Sequence, residues 1–123
     1  MKIYCIGGYN EVGKNMTAVE IKNEIVIFDM GYNMEKVVEY GEGIDNLSLS
    51  EIVDAGAVPD DSILSKSRKK VKAIIINHGH LDHCGAVSKL ANAYNCPIIA
   101  PPYACDIIRK LLKDGKTKIR NKI

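Results

Sequence analysis

All three histidines of this 123-residue chain fall within one six-residue stretch, His78-Gly79-His80-Leu81-Asp82-His83. Imidazole nitrogen together with carboxylate oxygen is the donor set that suits zinc or a similar first-row metal. His78 and His80 lie two apart and can turn to the same side of an extended turn, and Asp82 and His83 follow at the first turn of an expected helix. The stretch thus offers two pairs of ligands, enough to begin two adjacent metal sites. One histidine in a polar loop would read as solvated surface, but four potential ligands at a strand-to-helix junction read as a metal centre.

Strands must deliver these residues. Val71, Ala73, Ile74, Ile75 and Ile76 form a nearly continuous apolar run that ends at the histidines, the pattern of a strand buried on both faces. Ile25 to Phe28 is a second apolar run, and it ends in Asp29-Met30-Gly31, a carboxylate delivered at a strand end in the same way. Taken alone, Asp29 could simply cap a turn, the commoner job for such an aspartate. Lys2 to Ile6 and Met16 to Ile21 read as two more strands, and the short turn Lys22-Asn23-Glu24 makes Met16 to Phe28 a hairpin.

Tyr32 to Lys70 is a long mixed excursion between strands, with one short helix expected after Ser48 and another after Asp60 or Asp61. Excursions of this length are functional or mobile, and this one is placed to shape a substrate entrance. Beyond the histidines, Val87, Leu90, Ala91 and Tyr94 recur at helical spacing, so one helix is expected from Asp82 or His83 to Asn95. Ile98 to Ala100 is a short strand, and Pro101-Pro102 opens a helix with the stripe Ala104, Ile107, Ile108, Leu111 and Leu112, ended by Gly115. Two successive β-then-α units imply parallel strands and an α/β fold.

The apolar and charged fractions, 46% and 26%, are those of a globular protein, and no apolar run approaches the length of a spanning helix. Four cysteines at 5, 84, 96 and 105 show no paired spacing, and no signal peptide precedes them, so they are expected to be reduced thiols in a cytoplasmic protein. A net charge of +2 does not by itself argue for nucleic acid. The cations are clustered, however, at Lys66, Arg68, Lys69, Lys70 and Lys72 and again from Lys110 to Lys122, and either cluster can meet phosphates.

His78 to His83 reads as the His-x-His-x-Asp-His signature of the metallo-β-lactamase superfamily. Gly7-Gly8-Tyr9-Asn10-Glu11-Val12-Gly13-Lys14-Asn15-Met16 closely resembles the opening of the ribonuclease J family in the β-CASP branch of that superfamily, and the likeness continues through Asp29-Met30-Gly31 and Gly85-Ala86-Val87. The resemblance implies an αββα sandwich, of which residues 1–123 would be the N-terminal part, with the β-CASP domain and the second half of the sandwich absent. It implies two divalent ions, zinc first and manganese or magnesium as alternatives. His78 and His80 would bind one ion and Asp82 and His83 the other, with Asp82 the residue on which catalysis depends. Asp29 would hold a ligand histidine in place from behind the metals. The implied reaction is hydrolysis of RNA phosphodiesters, as a 5′-to-3′ exonuclease, an endonuclease or both.

The departures from the family pattern matter as much. No histidine follows His83, and the later carboxylates Asp106 and Asp114 fall on a helix, where they suit an ordinary surface role. Cys84 reads as a packing residue rather than a ligand. Glu11 and Asn15 sit in a loop expected to approach the site, but no ligand role passes to them. The isolated chain is therefore expected to be inactive or nearly so, and to expose apolar faces that favour self-association or binding to the missing part. Two rival readings remain: a glyoxalase II-like hydrolase of a small thioester, and a non-catalytic half-domain that binds metal or RNA.

Overall fold

The computed structural model describes all 123 residues. Five strands form one mixed sheet in the order β1 (Lys2–Gly7), β2 (Met16–Ile21), β3 (Glu24–Phe28), β4 (Val71–Ile75) and β5 (Ile98–Ile99). The first three are an antiparallel meander, and β3, β4 and β5 run parallel. The β2–β3 hairpin turns on Lys22 and Asn23, both left-handed at φ 49° and 69°, which matches the twist of two-residue hairpins. Because β3 and β4 point the same way, with Phe28 opposite Ile75, the residues after both strands emerge at one end of the sheet.

Helices α1 (Met34–Tyr40), α2 (Leu49–Asp54), α3 (Leu81–Cys84), α4 (Val87–Leu90) and α5 (Pro102–Asp114) complete the chain with short 3-10 turns. Ser48 caps α2 in a reciprocal capping box with Glu51, which places Ile52 in the core. In α5 the expected stripe is present, with Ala104 and Ile108 buried. Gly115 takes the cap position of α5, but the left-handed residue is Lys116 at φ 48°; Lys116 N donates to Lys113 O and Thr117 N to Leu112 O, a Schellman closure. The excursion from Tyr32 to Lys70 is a packed part of the molecule, contributing Ile44, Ile52, Ala57, Val58 and Leu64 to the core.

One expected helix is broken. A continuous helix from Asp82 onward would send Ala86 N to Asp82 O and Val87 N to His83 O. Asp82 O instead accepts from Asn15 N at 3.2 Å, His83 O accepts from Met30 N at 2.8 Å, and Ala86 N donates to Met30 O at 2.9 Å. Tertiary partners have taken the groups that helix continuation needs, so α3 stops at Cys84 and α4 begins at Val87. The apolar spacing survives the break, and Val87, Leu90, Ala91 and Tyr94 are all buried.

The sheet is covered on one side only. Met16, Ala18, Ile25, Ile27 and Ile74 face the helices and are buried. The opposite face carries Ile3, Val19, Val26 and Ala73 in one cross-strand row and Thr17, Phe28, Ile75 and Ile99 in the next. Ile3, Phe28 and Ile99 on that face are exposed, and Ala73 and Ile75 are half-buried. The apolar run of β4 thus reflects one buried face and one open one, where its sequence led us to expect two buried faces.

Candidate metal centre

The site is built at the sheet end shared by β3 and β4. Asp29 directly follows β3 and is left-handed at φ 62°, a conformation that aspartate tolerates better than most residues. Asp29 N extends the ladder to Ile75 O at 2.9 Å. Its carboxylate then turns back across the strand ends, where Oδ1 accepts from Asn77 N at 2.8 Å and Oδ2 lies 2.8 Å from His83 Nδ1.

An ionised carboxylate can only accept, so the neutral His83 ring carries its proton on Nδ1 and keeps a lone pair on Nε2. That Nε2 lies 3.4 Å from Asp82 Oδ2. His78 completes the group: His78, Asp82 and His83 each offer a ligand atom, all within 4.8 Å of one another. The His78 and His83 ring centroids are 4.0 Å apart. His80, exposed at the N-cap of α3, stands against His78 with ring centroids 4.7 Å apart and lies outside the triad. The triad therefore draws one residue from the first sequence pair and two from the second.

Two acceptor atoms facing each other at 3.4 Å are unfavourable unless a cation or a proton lies between them. Nitrogen, oxygen and nitrogen donors at this spacing fit a divalent first-row metal, so the residues present suit the ion. All three are half-buried, which leaves one side of the cluster accessible.

Close backbone approach makes the geometry possible. A Cβ on Gly31 would lie 1.6 Å from Asp82 O, so the Asp29–Asn33 segment can lie against the motif only with glycine there. Tyr32 N donates to Leu81 O at 2.9 Å and Gly31 N to Asn15 O at 3.0 Å, tying three distant segments together.

The loop expected to approach the site does so through Asn15, whose particular contact the sequence did not give. Its Nδ2 donates to Asp82 O at 2.9 Å and sits 3.4 Å from His83 Nε2, on the rim of the triad. The available signal was topological: an antiparallel meander returns the loop between β1 and β2 to the sheet end where β3 finishes. Glu11 faces Asn33 and Lys14 instead, at 3.2 Å and 3.1 Å.

The remaining residues weighed as ligands lie elsewhere. Cys84 is fully buried, and burial pushes its thiol up to about 11, which keeps it a neutral packing group. Asp106 pairs with Arg109 at 3.2 Å and Asp114 with Lys110 at 2.9 Å, both on the exposed side of α5. All four cysteines are free thiols, and no helix is long and apolar enough to cross a membrane.

Comparison with known proteins gives this geometry a family. The chain is 44% identical to ribonuclease J of Methanocaldococcus jannaschii over 98% of its own length and 28% of the relative's. It is 45% identical to ribonuclease J of Pyrococcus abyssi over 92% of its length and 25% of that protein's. The solved structure of human tRNase Z, short form, aligns at 14% identity with a TM-score of 0.46, over 88% of this chain and 36% of that one. The chain thus spans roughly a quarter of the length of these ribonuclease J relatives. Residues 9–119, with four of the five strands and the entire motif, match the Metallo-beta-lactamase superfamily, and the chain belongs to that family.

Proposed function

We propose that this chain supplies the motif-bearing part of a metal-dependent ribonuclease centre that hydrolyses RNA phosphodiesters. The observation that carries the reading is the His83 imidazole, oriented by Asp29 so that its free Nε2 turns toward Asp82 Oδ2 and His78. Support for RNA as substrate comes from the similarity, over nearly the whole chain, to proteins named ribonuclease J.

His78, Asp82 and His83 would hold the ion, with His80 beside them as donor to a second. Zinc best suits this donor set, and manganese or magnesium are the alternatives. Bound there, a divalent ion supplies Lewis acidity, acidifying water and stabilising charge that develops on the phosphate. The chain's own residues supply orientation. Asp29 fixes the His83 ring and its tautomer, Asn77 N holds Asp29 in turn, and Asn15 anchors the Asp82 backbone. Three protein donors leave an open position, as catalytic centres require. The whole activity, exonucleolytic or endonucleolytic, belongs to a longer assembly of which this chain gives one part, and the open sheet face supports association with a second copy.

The test is metal content per chain after purification without chelator, followed by a ribonuclease assay on a 5′-labelled oligoribonucleotide. Retained metal, lost in Asp82→Asn, is expected; RNA cleavage by the isolated chain is expected to be weak at most, and whatever there is should be lost with the metal. Cleavage indifferent to Asp82→Asn would sink the proposal, because such activity cannot come from this centre.

A further inference from the structure

The two basic clusters are far apart in sequence, yet they meet at the sheet end opposite the metal centre. β4 and β5 are parallel, so Val71 and Pro97 mark their shared starting end, about 16 Å along the strands from the residues that lead into the motif. A cleft of about 390 Å³ there is lined by Arg68, Lys69, Val71, Ala93 and Asn95. A neighbouring cleft of about 310 Å³ is lined by Asn95, Cys96, Pro97, Arg120, Asn121 and Lys122. Asn95 belongs to both, so the clefts flank one exposed carboxamide. Two cations stand on each side of it, and no carboxylate lines either cleft.

The two arginines and the backbone that carries Lys122 are held in place by the surrounding structure. The chain after α5 is strapped across the start of β5: Asn121 Nδ2 donates to Tyr94 O and Cys96 O, both at 2.8 Å, and Ile98 N donates to Lys122 O at 2.8 Å. Asn92 Oδ1 accepts from Arg120 N at 2.9 Å, and Asn92 O accepts from Arg120 Nη2 at 3.1 Å. On the other side, Arg68 is set by the buried Asp61 at 3.6 Å and lies 5.9 Å from the centre of the Tyr94 ring. Its Nε is buried without a hydrogen-bond partner. Like Arg68, Lys70 and Lys72 are paired with carboxylates, those of Glu20 and Glu24, whereas Lys69, Arg120 and Lys122 have no carboxylate within ion-pair distance.

The unpaired Lys69, Arg120 and Lys122, with Arg68 and a carboxamide beside them along two adjoining clefts, suit a chain of regularly spaced phosphates, which arginine and lysine engage without reading sequence. We infer that the groove around Asn95 binds the sugar-phosphate backbone of single-stranded nucleic acid at the end of the sheet opposite the metal centre. Naming RNA as the strand rests on the function proposed above; the phosphate contact does not.

The experiment is fluorescence anisotropy of a labelled 12-mer oligouridylate with the 123-residue chain, in chelator, across a salt series. Chelator keeps the result independent of the metal centre, so a failed ribonuclease reading leaves this measurement intact. The triple reversal Lys69→Glu, Arg120→Glu, Lys122→Glu should weaken binding at least about tenfold and flatten the salt slope by about 2, the loss expected for three phosphate contacts to a single strand. A control with the same change in net charge, Lys2→Glu, Lys22→Glu, Lys36→Glu, should weaken it less than about threefold. Circular dichroism checks whether both variants fold, and the milder Lys69→Ala, Lys122→Ala should weaken binding in the same direction if the triple reversal does not. Equal losses in the two triple variants, or no loss in the groove variants, overturn the inference.

Discussion

Asp29 Oδ2 and His83 Nδ1 lie 2.8 Å apart across 54 residues of sequence, and the same carboxylate receives the Asn77 amide on its other oxygen. One side chain therefore locks the strand end after β4 and the imidazole that follows it into a single unit.

Asp29→Asn separates orientation from backbone shape. Asparagine also tolerates a left-handed backbone and can still accept from Asn77 N, but an amide NH2 presented to His83 Nδ1 favours the wrong tautomer. Zinc affinity, measured by competition with a chromophoric chelator, should fall about 10- to 100-fold with little change in thermal stability. Unchanged affinity would show that Asp29 does not orient the ring.

Gly31→Ala tests the close approach of two backbones. A Cβ there would meet Asp82 O, so the segments around Met30 and His83 must part. Urea denaturation should show a loss of about 3 kcal/mol, the upper end of the overpacking range. The same substitution at Gly43, where a Cβ would have open space, should change stability by less than about 0.5 kcal/mol.

Tyr94 and Asp61 govern the alkaline limb. Burial first, and then its 2.5 Å hydrogen bond to Asp61, raise the Tyr94 phenol well above its ordinary 10.0, and burial pushes Tyr32 up to about 12. With folded values above unfolded ones, their contribution is intact below pH 10 and is lost as pH climbs beyond it, because the unfolded chain releases those protons first. Tyr94→Phe should cost about 2 kcal/mol at neutral pH by leaving Asp61 short of a donor. It should also make the decline above pH 10 shallower. A decline of unchanged steepness in the variant counts against this assignment.

Ser48→Ala removes one half of the box that starts α2. Ser48 Oγ accepts from Glu51 N at 3.3 Å, and Glu51 Oε2 accepts from Ser48 N at 2.8 Å. The expected loss is about 1 kcal/mol by thermal or urea unfolding.

The open sheet face predicts concentration-dependent association. Phe28→Ser with Ile21→Ser removes two exposed apolar side chains, 41% and 53% accessible, without touching the core. Sedimentation velocity should show a smaller mean mass for the double variant at the same concentration; identical profiles would rule out this face as the contact.

Where one apolar period governed a segment, the fold was legible. β2 and α5 follow their alternating and helical stripes closely, and the Ser48 cap marked the start of α2. Helix α1 went unread because it buries none of its residues and begins on an Asn33 side-chain cap. The break after Cys84 was invisible for a different reason: it depends on where the carbonyls of Asp82 and His83 find donors, and those donors come from Asn15 and Met30. Within the site, His78, Asp82 and His83 could be read from residue type and spacing alone. Asn15 could be placed in a loop near the site, but its contact could not be read, since a carboxamide has no signature until a fold brings it to its acceptor.

Four backbone segments share the site's hydrogen bonds: Lys14-Asn15, Asp29 to Asn33, Ile75 to Asn77, and Leu81 to Ala86. Asn15 reaches Asp82 across 67 residues, so this contact closes a loop longer than half the chain. Such closure carries a large entropic penalty and is met late, after nearby strands have paired. No isolated peptide spanning His78 to His83 can hold the pocket shape. During folding, metal affinity should rise with the last cooperative step, making a bound ion a clock for completion of the native topology.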